Sequence, residues 1–194
     1  MSRVPSFSKP EVLDRITDVF ISNGYAGTTL MLLQQATGLG KQSLYNTFGD
    51  KQSMYLQAID CTGQRYVREA AAVLAASTGR AAVARYFELI VGHCASADPV
   101  LSNCIGTNGL LEGLEDVALQ GALTERWKTN HELLRVAVER GQGDGSIANS
   151  APSAELAELL VALVGGLRVA ARVGRERGQM NSLVALTLSV LDMH

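Results

Sequence analysis

Apolar residues recur at i, i+3 and i+4 along almost the whole of this 194-residue chain. That period places them on one face of successive helices, and the chain reads as all-α. Only four prolines and 5% aromatic residues interrupt a sequence rich in the helix formers Ala and Leu. Hydrophobic residues make up 47% and charged residues 19%, enough apolar surface to fill a core and to exclude a disordered chain. The formal net charge of -2 argues against coating nucleic acid by bulk charge, but it leaves a local nucleic-acid-reading surface open.

Punctuation residues divide the pattern. Ser8-Lys9-Pro10-Glu11 has the S-x-x-E form of a capping box with proline in the first turn, and Leu13, Ile16, Val19 and Phe20 follow on one face. Gly24 is expected to stop that helix near Asn23. A second helix fits Thr29 to Thr37, capped by Thr29 and ended by Gly38, and a third of about two turns fits Lys41 to Phe48. A longer helix is expected from Asp50 to about Ser77. Others follow at Arg80 to Ser96, Pro99 to Val117, Gln120 to Arg140, Ala154 to Gly174 and Met180 to Asp192, with Gly141 to Ser146 as the clearest loop. The expected layout is a three-helix domain over residues 1–51 and a six-helix bundle over residues 52–194.

Several classes of function fall away. The first ten residues have no apolar signal-peptide core, and the longest uncharged apolar runs, Leu159 to Leu167 and Ser182 to Leu191, are half the roughly 20 residues of a membrane span. A cytoplasmic location away from membranes is the expectation. Three cysteines without CxxC spacing and three histidines suggest neither a disulfide framework nor a zinc site, so free thiols and no metal or cofactor are expected. No Gly-rich phosphate loop, HExxH or GxSxG motif is present, and His93 and Cys94 are helix neighbours that do not face each other. The chain is not read as an enzyme.

Two short helices around a glycine-containing turn, after an amphipathic helix, form the helix-turn-helix pattern, whose second helix enters the DNA major groove. The letters sharpen it. Gly24-Tyr25-Ala26-Gly27-Thr28-Thr29, followed by Ala36 to Lys51 with its core Gly38-Leu39-Gly40-Lys41-Gln42-Ser43-Leu44-Tyr45-Asn46-Thr47-Phe48, resembles the N-terminal domain of TetR-family transcriptional regulators. The resemblance implies a homodimeric repressor, released from a near-palindromic double-stranded DNA operator by a small organic effector.

Each matched residue has a physical reason. The Thr29 hydroxyl can cap a helix whose N-terminal amides attract a phosphate. Lys41, Gln42 and Ser43 occupy the first turn of the reading helix, where Lys suits guanine O6/N7, Gln suits adenine N6/N7 and Ser suits either. Leu44 and Phe48 should point inward, with Tyr45, Asn46 and Thr47 on the DNA side. By resemblance, Lys51 is the phosphate-binding lysine. Family members often carry Ser at position 40, Gly at 42, His at 47 and a small residue at 34. Here Gly40 weakens the cap, Gln34 crowds the helix pair, and Gln42 in place of Gly can add a base contact. Residues 1–51 hold five basic and four acidic side chains, so a shallow salt dependence of DNA binding is expected.

The last two helices are the most apolar part of the chain, with Leu156, Leu159, Leu160, Leu163, Val164 and Leu167 in one and Leu183, Val184, Leu186, Leu188, Val190 and Leu191 in the other. A helix apolar on most of its surface belongs in a core or at a subunit interface. By resemblance these two make the dimer interface, with Gly165-Gly166 allowing close approach. Effector contacts are expected from Tyr86, His93, Cys104, Asn108, Trp127 and His131, a small set of polar and aromatic groups suited to an apolar pocket. Gly106, Gly109 and Gly113 mark either a close helix contact or room for a ligand. Cys104, at a helix start, is either an inert thiol or, as in some of these regulators, a sensor of electrophiles or oxidants. A helical interaction protein that binds no DNA is the remaining alternative.

Overall fold

A computed structural model describes residues 7–75, 78–98, 102, 104–112 and 115–193. Among these residues the chain is helical, without strands. Its helices are α1 (Lys9–Gly27), α2 (Leu30–Thr37), α3 (Lys41–Phe48), α4 (Lys51–Leu74), α5 (Gly79–Cys94), α6 (Ile105–Leu111), α7 (Val117–Gly143), α8 (Ser153–Arg172) and α9 (Arg177–Val190). Two compact units result: Met1–Arg65 with Cys104–Leu123, and Tyr66–Asn103 with Thr124–His194.

In the first unit, α1 buries Val12, Ile16, Phe20 and Ile21. Of the face expected from the sequence, Ile16 and Phe20 are buried, whereas Leu13 and Val19 are half-buried, so the inward stripe is turned toward Val12 and Ile21. Phe20, Tyr25 and Tyr55 form an aromatic cluster, with Tyr55 4.9 Å from both other ring centroids. Aromatic pairs at such distances contribute beyond their buried area. Gly24 breaks the helical path with φ 70°, and Gly38 closes α2 with φ 72°. Both are left-handed conformations that glycine adopts without a Cβ clash. Thr29 caps α2 as expected, its hydroxyl accepting the Leu32 N–H at 3.3 Å.

Ser8 stands at the N-cap of α1 but makes no side-chain cap bond. Pro10 removes the N–H of the second helical residue, but that of the third, Glu11, is the one a capping box uses, and nothing in the structure explains why Ser8 leaves it. The helix expected over Pro99 to Val117 is, within the described residues, the shorter α6. Pro99, Gly113 and Leu114 lie outside those residues, and Glu115 and Asp116 are not helical.

The second unit packs α5, α8 and α9 around one core in which Val83, Phe87, Ile90, Leu134, Leu160 and Leu167 are almost wholly inaccessible. The loop expected from Gly141 is partly helix, since α7 runs on to Gly143. Gly141 is there for closeness: a Cβ would run into the Ile147 side chain, and one at Gly79 would overlap the Gly141 backbone. Asp144 ties the junction by accepting the Gly79 N–H at 2.8 Å and the Ser146 N–H at 2.9 Å, and the Ser146 hydroxyl, with these two amides, holds its carboxyl below the usual carboxylate range. The last helix starts before Met180: Gln179 Oε1 accepts the Glu176 N–H at 3.1 Å.

Candidate nucleic-acid interface

Helix α3 divides its eight residues sharply. Leu44 and Phe48 are buried, while Lys41, Gln42, Ser43, Tyr45 and Asn46 are exposed and Thr47 is half-buried. Two anchors one turn apart therefore fix the helix, and its polar side chains face outward, which is what a reader of base edges requires. Gly40 supplies no side-chain cap, as expected. Gln42 Nε2 donates to Asn46 Oδ1 at 2.8 Å. That bond orders both amides and leaves Gln42 its carbonyl and a second N–H, the acceptor-donor pair that adenine matches. The Lys41 ammonium lies 5.7 Å from the Tyr45 ring centroid, within cation–π range.

Lys51 opens α4 beside this surface. Its ammonium sits 4.6 Å from the centroid of the Tyr25 ring. Burial pushes its pKa down, and the Glu112 carboxylate pulls it part of the way back. Asp50 precedes it as a cap, accepting the Ser53 N–H at 2.8 Å; this bond holds the Asp50 carboxyl below its ordinary value.

Sequence reasoning missed the acidic residues that brace this region. Glu112 accepts the backbone N–H of Tyr25 at 3.0 Å through Oε1 and that of Ala26 at 2.9 Å through Oε2. Asp116 accepts from Gln52 Nε2 at 2.8 Å and caps α7 through the N–H of Ala118 and Leu119. Nothing in the local sequence marks the bonds of Glu112 to Tyr25 and Ala26 or that of Asp116 to Gln52, because those partners lie dozens of residues away. The Asp116 cap alone was open to a reading of helix starts.

The residues expected at an effector site are dispersed. Tyr86 is buried, its hydroxyl bonded to that of Tyr66. His93 Nε2 is 3.3 Å from a Glu69 carboxylate oxygen, and His131 Nε2 is 3.0 Å from the Ala154 carbonyl oxygen. Trp127 packs half-buried on the core. All four lie in the second unit, whereas Asn108, buried on α6, and Cys104, half-buried at the α6 N-cap, lie in the first. Gly109 has the close-contact geometry: a Cβ there would crowd Tyr55 Oη at 2.9 Å and Leu123 Cδ1 at 3.0 Å. A separate groove of about 490 Å³ lies in the second unit, floored by Ala71, Leu74, Leu133, Val136 and Ala137 and edged by Lys128, Glu132 and Arg140. None of the six residues lines it.

An anchored two-turn helix with a polar outer face, set behind a capped partner helix, defines a helix-turn-helix DNA-binding protein. Residues 12–58 match the model of the tetR family of bacterial regulatory proteins. Over 185 residues the chain is 24% identical to the HTH-type transcriptional repressor ComR of Escherichia coli (strain K12), covering 94% of this chain and 88% of that one. Over 59 residues it is 41% identical to the HTH-type transcriptional regulator YezE of Bacillus subtilis (strain 168), covering 30% of each. It superposes with a TM-score of 0.87 at 28% identity, over 96% of this chain and 98% of that one, on a cysteine mutant of the TetR family transcriptional regulator CifR complexed with 26bp double-strand operator DNA. Residues 12–58 carry a DNA-binding domain like that of the tetR family, and the chain is a DNA-binding transcriptional regulator; its relatives are regulators, not enzymes. No helix among the described residues is long and apolar enough to cross a membrane.

Proposed function

We infer that the chain acts as a homodimeric repressor on a near-palindromic operator, with Lys41, Gln42 and Ser43 reading bases, Tyr45, Asn46 and Thr47 beside them, and Thr29 and Lys51 on the phosphate backbone. The dimer rests on one observation above all. After α8 and α9 have buried Leu160, Leu167, Met180 and Val184 inside the protomer, they still expose Leu159 (45%), Leu183 (43%) and Leu186 (69%). A Cβ added at Gly165 or Gly166 meets nothing within 4 Å, so neither glycine is needed for packing within the protomer. A second copy across a two-fold axis would cover the leucines and present two reading helices about 34–36 Å apart, one turn of DNA.

A small organic effector acting in the second unit completes the reading. The groove beside Val136 has the size and apolar floor of a small-molecule site, and Tyr86, His93, Trp127 and His131 belong to the same unit. An effector shifts the DNA equilibrium only through a difference in its affinity for the two states. The test is sedimentation of the full chain alone and with duplexes it selects from a randomised pool. Two chains per near-palindromic duplex are expected; a monomer at micromolar concentration that binds a single half-site would overturn the dimer.

The half-buried position of Cys104 at the α6 N-cap supports a second reading, release of DNA on thiol modification. It predicts that C104S abolishes release by quinones, aldehydes or hypochlorite. Unchanged release in C104S removes it.

A further inference from the structure

We propose that Glu112 is a positioning residue for DNA binding: its carboxylate clasps the chain where α1 gives way to α2 and thereby sets Lys51 and the entrance to the helix-turn-helix. Five observations within the first unit carry this. Both carboxylate oxygens are engaged, one by the Tyr25 N–H at 3.0 Å and the other by the Ala26 N–H at 2.9 Å, and charge-assisted bonds to paired donors fix orientation as well as distance. Gly24 makes room for the carboxylate, because a Cβ at that position would run into Glu112 Oε1. The clasped residue Tyr25 presents its ring to the Lys51 ammonium at 4.6 Å and to Tyr55 at 4.9 Å. Glu112 also acts on Lys51 directly, opposing the effect of burial on its ammonium. The clasped segment leads, through the buried Thr28 with its hydroxyl bonded to the Gly24 carbonyl at 2.6 Å, into the Thr29 cap of α2. A side chain on the α6 edge of the unit thus settles where a phosphate-binding lysine and a helix N-terminus stand.

Electrostatics alone points the other way, which makes the proposal testable. Removing a negative charge near DNA strengthens the attraction to phosphates, so a merely repulsive Glu112 predicts tighter binding when it is neutralised. The clasp predicts weaker binding. The experiment measures affinity and salt dependence of the full chain for a duplex selected by the wild-type protein, comparing E112A, E112Q and the charge-matched control E115A, with hydrogen exchange at the Tyr25 and Ala26 amides in each variant.

E112A is expected to weaken binding about tenfold and to speed exchange at both amides. E112Q, with a single acceptor oxygen, should fall between E112A and wild type, and E115A should bind as well as wild type or better. In a K51A background, E112A should cost markedly less than in wild type, because Lys51 is the group it positions; coupling of this kind is what contact networks show. Exchange at Leu44 should stay slow throughout, which separates loss of the clasp from loss of the fold. Unchanged or tighter binding in E112A, or unchanged exchange at residues 25 and 26, would overturn the proposal. So would additivity with K51A.

Discussion

Helices α3 and α9 are both amphipathic, and they leave opposite chemistry outside. α3 buries Leu44 and Phe48 and exposes Lys41, Gln42, Ser43 and Asn46, a surface that is comfortable in water and can trade water for base edges and phosphates. α9 buries Met180, Val184 and Leu188 but leaves Leu183 and Leu186 exposed, and α8 does the same with Leu159. Fully burying an exposed leucine is worth about 1.5–3 kcal/mol, so leucines left in water are a cost that the proposed second subunit would reduce. The difference teaches how partner class is written in a helical protein: the inward face sets the fold in both cases, and the residue types left outside separate a polar surface suited to a polyanion from an apolar one suited to the proposed second copy of the chain.

The largest expected effect breaks the apolar side of this comparison. L186E, at a position already 69% exposed in the protomer, should leave the helical content intact. It should convert a sedimenting dimer to monomer and weaken operator binding by roughly 100-fold or more, since two half-sites would then be bound without avidity. A dimer that survives would place the interface elsewhere.

Next comes the inward face of the reading helix. L44A removes a side chain with 0% exposure and should destabilise the chain by about 2–5 kcal/mol in denaturant titration, whereas K41A should leave stability within about 0.5 kcal/mol. Equal losses for the two would mean that α3 is not divided as described.

The outward face should show the converse. K41A and Q42A are each expected to weaken the selected operator by about 1–3 kcal/mol and to relax base preference at one position per half-site, read by competition with single-base variants. Weakening that is uniform over all sequences would make these residues backbone contacts.

The smallest effect concerns the cap at the start of α4. The folded protein holds the Asp50 carboxyl below its ordinary value, chiefly through the Ser53 N–H. A group depressed in this way contributes stability above its unfolded pKa and loses it as pH falls through the folded value. The melting temperature of D50A should therefore lie slightly below that of wild type at neutral pH, and the gap should close as the pH drops below the usual carboxylate range. A gap that persists in acid would assign the effect to something other than the charged cap.

The reading head was legible residue by residue because its constraints are local. Period placed Leu44 and Phe48 inward, glycine fixed the left-handed turns at Gly24 and Gly38, and Thr29 announced its own cap. Local signals also misled where tertiary geometry decides. Ser8 and Glu11 spell a capping box, but the Ser8 side chain makes no cap bond. Gly141 looks like a loop residue and is instead a helical position where Gly79 and Ile147 come close. Glu112 carried no local sign at all, since its partners Tyr25 and Ala26 are far off in sequence and offer backbone amides rather than side chains. The expected effector residues were legible only as a class of polar groups in an apolar bundle, and the structure spreads them over two units.

Selection from a randomised duplex pool, followed by measurement of chain stoichiometry on the winning sequence, tests the central claim most directly. The predicted result is a near-palindrome whose half-site centres lie about 10 base pairs or a multiple apart, bound by an even number of chains and lost on combining K41A with Q42A. Enrichment of no sequence, or a complex with one chain that survives those two substitutions, would contradict it.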